Sequence, residues 1–249
     1  MSIRSRNLFD PGSDTPYKLS RSQLESFVKC PRCFYLDRRL GVSQVKGPGF
    51  TLNSATDTLL KKEFDTYREQ QTPHPIAIQN GLTLVPYADR RLEDWRTNSK
   101  GIQHPFAGTS LLIVGAIDDL WVDQETQGIY VVDYKSTSKA GEVTLDDPWK
   151  EAYKRQMEVY QWLLRKHNVA VQNRCYFVYV NGITARPCFD NRLEFEMLLL
   201  PYDGDGGWVE PAIREAWNCL RSNTVPIASS ECPWCSYRDA AASVLGKYA

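Results

Sequence analysis

No apolar run in this chain approaches the ~20 residues needed to span a bilayer. The longest are Leu111–Val114, Tyr176–Val180 and Met197–Leu200. Charge of one sign is also missing. Lys and Arg number 30 and Asp and Glu number 30, so no overall field gathers a polyanion, and binding one would need a locally basic cleft. The opening MSIRSRNLFDPGSDTP has no apolar core of a secretory signal. It reads as a polar lead-in over residues 1–19 and points to a cytoplasmic protein. In that compartment the seven cysteines are expected as thiols or metal ligands rather than as a disulfide framework. P-loops, Gly-rich dinucleotide turns and the G-x-S-x-G elbow are absent, so nothing suggests an ATP-driven motor or a serine hydrolase. His74, His104 and His167 share no spacing with one another or with acids, and each is read as a surface or structural residue.

What is present suffices for one large domain: 249 residues, 42% of them hydrophobic. Ser20 can cap a short helix with Leu24, Phe27 and Val28 on one stripe, running into the Cys30-Pro31 break. Gly47-Pro48-Gly49 punctuates before a helix over 51–70, with Leu52, Ala55, Leu59, Leu60 and Phe64 on one side. Pro and polar clusters fill 71–105 around a strand at Leu82–Tyr87. Strands at about 107–123 and 128–136 follow, then a helix over 148–167 opened by Pro148. A hairpin pattern over 173–200 splits near Asn181-Gly182, a last helix covers 207–222, and a loop leads to Cys232. This order predicts a single α/β domain over 20–249 whose terminal segments meet.

Residues 115–135, GAIDDLWVDQETQGIYVVDYK, carry a G-x-x-D and a D-x-K on two strands joined by the turn chemistry of 124–128. Side chains alternate along a strand, so Asp133 and Lys135 share a face while Val132 and Tyr134 take the other. By the same alternation Asp119 faces away from Asp118. Two carboxylates and an ammonium are poor packing, because buried charges are costly unless paired or metal-bound. They suit a divalent cation held beside a phosphate. Alone, an Asp-x-Lys is more often a solvated pair worth well under about 1 kcal/mol. Gln156 and Tyr160, at i and i+4, share a helix face. Arg38, Arg39, Lys61 and Lys62 read as solvated helix faces.

Taken in order, these motifs resemble the PD-(D/E)xK nuclease superfamily, and within it the RecB-like exonucleases. That branch includes the nuclease domains of RecB and AddB and the exonucleases that serve CRISPR adaptation. Gly115-Ala116-Ile117-Asp118 looks like the second motif of the family and Asp133-Tyr134-Lys135 like the third. Gln156 to Tyr160 is similar to the Gln-x-x-x-Tyr helix of the branch. Residues 52–60 resemble the first helix, with Asp57 where a His usually supplies a metal ligand. The resemblance runs from about residue 20 to 240 and implies a restriction-endonuclease-like core, a central mixed β-sheet flanked by helices. It implies hydrolysis of DNA phosphodiester bonds, with Asp118 and Asp133 on Mg²⁺ or Mn²⁺ and Asp57 as a third ligand. Lys135 would orient the attacking water or stabilise developing charge, and Gln156 and Tyr160 would position the strand or the water network. The role implied is an exonuclease on single strands or ends, with partner proteins of repair, recombination or CRISPR adaptation. The alternative is a DNA-binding subunit that keeps the fold but has lost catalysis, with Asp57 as the lesion.

Cys30-Pro31-Arg32-Cys33 and Cys232-Pro233-Trp234-Cys235 are C-x₂-C knuckles at opposite ends of the chain. Four thiolates suit tetrahedral zinc or an iron–sulfur cluster, and either would clip segment 28–36 to segment 230–240. In RecB-like relatives a 4Fe–4S cluster is held by one N-terminal and three C-terminal cysteines. The resemblance therefore favours the cluster, with structural Zn²⁺ close behind, although Ala241 stands where the last cysteine of that pattern would fall. Cys175, Cys188 and Cys219 are isolated and read as core.

Overall fold

The computed structural model describes residues 4–45, 47 and 49–246. The first three residues of the expected lead-in, Pro48 of the Gly47–Gly49 break and the last three residues lie outside the described residues. In chain order the elements are β1 (Tyr17–Ser20), α1 (Arg21–Lys29), α2 (Pro31–Arg38), α3 (Thr51–Gln70), α4 (Pro75–Gln79), β2 (Val85–Pro86), α5 (Leu92–Arg96) and β3 (Ile102–Pro105). Then come β4 (Leu111–Gly115), β5 (Asp119–Val122), β6 (Ile129–Thr137), α6 (Glu151–Lys166), β7 (Arg174–Gly182), β8 (Phe195–Asp203), α7 (Val209–Arg221) and α8 (Pro233–Leu245). None of the helices among the described residues is long and apolar enough to cross a membrane. The chain divides into two compact units.

One unit gathers the residues before Gly49, Pro105–Ile113 and those from Gly207 onward. Helix α1 starts as expected. The Ser20 hydroxyl accepts from the Gln23 N–H while the Gln23 side chain accepts from the Ser20 N–H, a reciprocal cap that satisfies two otherwise orphaned donors. At Cys30 the chain does not leave helical structure for long. Pro31 opens α2, where a missing N–H costs nothing, so the predicted break is a corner between two helices. Phe27 and Phe34 meet edge-on across that corner at 5.3 Å. The lead-in is less polar in its packing than in its composition. Phe9 is buried, edge-on to both Tyr17 and Trp217 with centroids 5.4 Å away. Helix α8 directly after Cys232 was not foreshadowed by any apolar stripe.

The other unit, Gly49–His104 with Val114–Gly206, is built on a five-stranded sheet of order β2-β5-β6-β7-β8. Strands β6 and β7 are parallel and the other neighbours antiparallel, because α6 supplies the crossover that a parallel pair requires. One sheet face, with Trp121, Val132, Tyr134, Tyr176 and Val178, packs against Leu60 and Phe64 of α3 and Ile76 of α4. Alternation turns Asp133 and Lys135 to the other face, where α6 lies. The result is the expected mixed sheet flanked by helices.

Several boundaries differ. The strand expected over 107–123 is broken at 116–118, between β4 and β5. Of the stripe on α3 only Leu60 and Phe64 are buried, while Leu52 and Leu59 are 58% and 63% exposed. The strand at Leu82–Tyr87 shrinks to Val85–Pro86, and residues 71–105 also hold α4, α5 and β3. The turn near Asn181-Gly182 is a connection over 183–194.

Candidate active site

Asp133 sits in the middle of β6 and is fully buried. Lys135, two residues on and therefore on the same face, places its ammonium against the Asp133 carboxylate. The same ammonium stands 4.6 Å from the centre of the Tyr153 ring. Asp118 lies in the bend just before β5. Its carboxylate accepts the backbone N–H of Tyr134 at 3.2 Å, which pins it to β6 beside Asp133. From the backbone side, Arg96 Nε donates to the Asp118 carbonyl at 2.9 Å.

The two carboxyl groups act on each other's ionisation. Burial, opposed by Lys135 and reinforced by the neighbouring Asp118 charge, pushes Asp133 up to about 7. Burial alone would raise Asp118 as well, but Lys61 and Lys135 outweigh it and hold that group below the usual carboxylate range. One acid kept protonated beside one kept ionised is the signature of two like charges forced together.

Helix α6 supplies the backing. Gln156 Nε2 donates to Asp133 Oδ1 at 2.6 Å and to the Tyr160 hydroxyl at 3.1 Å. Both side chains are almost wholly buried, so they stand behind Asp133 rather than lining open space. Gly115 of the G-x-x-D motif has its reason here: a Cβ on it would lie 2.8 Å from Tyr160 Cε1 and 2.9 Å from Leu163 Cδ1. The glycine lets the backbone at position 115 lie against α6.

Asp119 faces the opposite way, as alternation predicts. It is fully buried, touches the Arg68 guanidinium, accepts from Arg96 at 3.0 Å and from the Tyr134 hydroxyl at 2.5 Å. A buried carboxylate needs such partners, and its work is to lock β5 and β6 beneath the site.

Asp57 and Lys61 fall one turn apart on α3, where the sequence predicts a solvated Lys61. Lys61 Nζ instead bridges Asp57 Oδ2 at 2.9 Å and Asp118 Oδ1 at 3.1 Å. The structure therefore joins Asp57 to Asp118 through an ammonium. Among the described residues, Asp57, Asp118 and Asp133 do not form a close group of ligand atoms, whereas four cysteines do. The one sequence signal for Lys61 was its i+4 relation to Asp57.

The knuckles meet as expected: Cys30, Cys33, Cys232 and Cys235 are all buried and form one cluster. Of the cysteines read as core, Cys175 is buried and Cys219 half-buried, but Cys188 is exposed.

A mixed sheet carrying two adjacent carboxylates and a lysine at its parallel pair, with a helical glutamine behind them, defines an α/β core of nuclease type. A model of the PD-(D/E)XK nuclease superfamily matches residues 51–240, and the chain belongs to that family. Nuclease chemistry on a nucleic-acid substrate follows from that membership. A comparison with curated proteins finds no match.

Proposed function

We propose that the protein is a Mg²⁺- or Mn²⁺-dependent deoxyribonuclease, an exonuclease of the RecB-like kind that acts on single strands or DNA ends. On this reading it works in the cytoplasm with the partner proteins of repair, recombination or CRISPR adaptation. The observation that carries the reading is the Asp118–Asp133 pair. Two neighbouring carboxyl groups, with Asp133 pushed up to about 7, offer hard oxygen donors that a divalent cation can take by displacing a proton.

Asp118 and Asp133 would hold the cation, which when bound polarises a phosphoryl oxygen and lowers the pKa of water. Lys135 is placed to orient the attacking water or to meet negative charge developing on the phosphate. Gln156 fixes the Asp133 carboxylate through one amide hydrogen and is itself fixed by Tyr160, which makes both positioning residues. Asp57 steadies Lys61 rather than completing the ligand set, and Lys61 adds positive charge beside Asp118. A groove of about 320 Å³ is lined by Phe50, Leu52, Ser136, Leu193 and Phe195. Phe50 is 79% exposed, and an exposed aromatic in a groove favours unpaired bases, which stack on such rings.

A second reading, a DNA-binding subunit without catalysis, draws on the Lys61 bridge, since an internal ammonium already neutralises part of the acidic pair. Linear and closed circular single-stranded DNA, each with Mn²⁺, separate the possibilities. Loss of the linear strand with the circle intact supports the exonuclease. Cutting of the circle indicates an endonuclease, and binding without cutting of either supports the inactive subunit. An RNA strand of the same sequence tests the preference for DNA.

A further inference from the structure

The cysteine cluster has a shape as well as a composition. Cys33 Sγ lies 3.5 Å from Cys232 Sγ and 3.4 Å from Cys235 Sγ, and Cys30 Sγ lies 3.8 Å from Cys235 Sγ. All four sulfurs fall within 4.8 Å of one another. Every sulfur thus neighbours every other in one compact group. A zinc ion bound by four thiolates at about 2.3 Å separates them by about 3.8 Å, within the range seen here.

An iron–sulfur cluster needs a different shape. In a four-iron cluster each thiolate takes its own iron and points outward from a corner, while iron and sulfide fill the space between. Sulfurs so arranged stand well beyond the separations seen here. A two-iron cluster fails for a related reason, because it splits its four thiolates into two pairs held apart by the iron–iron axis. The cluster implied by the RecB-like resemblance does not fit these residues.

We infer that Cys30, Cys33, Cys232 and Cys235 bind a single Zn²⁺ rather than an iron–sulfur cluster. The surroundings suit a tetrathiolate ion of net negative charge. Cys30 and Cys232 are the N-caps of α2 and α8, so two knuckle sulfurs sit at positive helix ends. Arg238 brings Nη1 to 3.8 Å from Cys33 Sγ. Arg32 pairs with both Asp239 oxygens, at 2.9 and 3.1 Å, and braces α2 to α8 beside the cluster. At one tetrathiolate site zinc outcompetes ferrous iron. Four protein ligands leave no open position, which marks a structural ion. It closes a loop of roughly 200 residues, where tethering restrains the unfolded chain most. The family match begins after Cys30 and Cys33, so the site rests on this geometry and not on the family.

The test uses the full chain, purified without oxygen from cells supplied with both iron and zinc, so that a labile cluster survives. Metal and sulfide analysis is expected to give one zinc per chain, no acid-labile sulfide and no visible absorption. Replacement with Co²⁺ should produce the intense bands of tetrahedral cobalt tetrathiolate. Cys33→His keeps four ligands and should shift those bands, whereas Cys188→Ala, at the exposed cysteine, should leave them unchanged. A brown protein with iron and sulfide overturns the inference. So does one iron in place of zinc, a folded metal-free protein with four titratable thiols, or zinc whose cobalt spectrum ignores Cys33→His.

Discussion

Gln156 spends both hydrogens of its amide within 3.1 Å, one on Asp133 Oδ1 and one on the Tyr160 hydroxyl. The carboxylate on β6 is therefore aimed from α6, and its direction depends on a buried side chain that need not touch substrate. Gln156→Ala is expected to weaken Mn²⁺ binding and lower kcat by about 10–100-fold, the usual effect of losing a partner behind a metal ligand. Tyr160→Phe, which keeps the ring and loses only the hydroxyl, should cost less than Gln156→Ala on both measures. Calorimetric Mn²⁺ titration alongside cleavage rates checks this, and unchanged Mn²⁺ affinity in Gln156→Ala would remove the positioning role.

The poised carboxyl makes stability depend on pH with a definite sign. An Asp in the unfolded chain ionises near pH 4, whereas Asp133 in the folded protein does so at about 7. Between those values the folded state holds a proton that the unfolded state has released, so the contribution of Asp133 is full at low pH and is lost as pH rises to about 7. Asp118 is held low and acts with the opposite sign, but only in more acid solution. The chelator-treated protein should lose urea resistance from pH 5 to 7.5 relative to Asp133→Asn, in which this slope disappears. Mn²⁺ affinity should rise over the same window and level off above it, because binding displaces the proton. Parallel pH profiles for the two proteins would show that Asp133 titrates normally.

Neighbouring acids should behave differently on substitution. Asp119→Ala strands the Arg68 and Arg96 guanidiniums beneath the sheet and is expected to cost about 3–5 kcal/mol of stability, the range for breaking a buried ion pair. Asp118→Asn removes one of two adjacent like charges and should leave the fold intact while abolishing cation binding. Denaturation midpoints for the two variants test the contrast, and equal losses would contradict it.

Gly115 should tolerate no side chain. Gly115→Ala places a methyl group against the Tyr160 and Leu163 side chains and is expected to destabilise by about 1–3 kcal/mol, as overpacking does. Gly115→Ala should cost less in a Tyr160→Ala background than in the wild type, and thermal melts of the double-mutant cycle measure the difference. Full stability in Gly115→Ala alone would mean that the backbone at 115 does not press on Tyr160 and Leu163.

Local rules carried most of what was legible in the sequence. The Ser20–Gln23 cap, the alternation that separates Asp118 from Asp119, and the Gln156–Tyr160 spacing all act over four residues or fewer. Lys61 escaped because its second partner, Asp118, is 57 residues away, and nothing in a helix pattern tells a solvated lysine from a bridging one. Leu52 and Leu59 share the apolar stripe of Leu60 and Phe64 yet stay exposed, because a stripe does not say how far its covering sheet extends. The strand over 107–123 was drawn unbroken since residues 116–118 carry no turn signal. The kind of metal at the cysteines was hidden for a plainer reason. C-x₂-C spacing serves zinc and iron alike, and the separations of the sulfurs exist only after folding.

The most direct measurement is cleavage of end-labelled linear single-stranded DNA in Mn²⁺ by the wild type and by Lys135→Ala. Lys135 touches Asp133 but is not one of the carboxylates proposed to hold the cation, so the variant should still fold and bind Mn²⁺. The wild type is expected to shorten the strand, and the variant to do so at least about a hundredfold more slowly. Equal cleavage by the two proteins, or none by the wild type while DNA and Mn²⁺ both bind, would contradict the assignment of the Asp118–Asp133–Lys135 site as a nuclease centre.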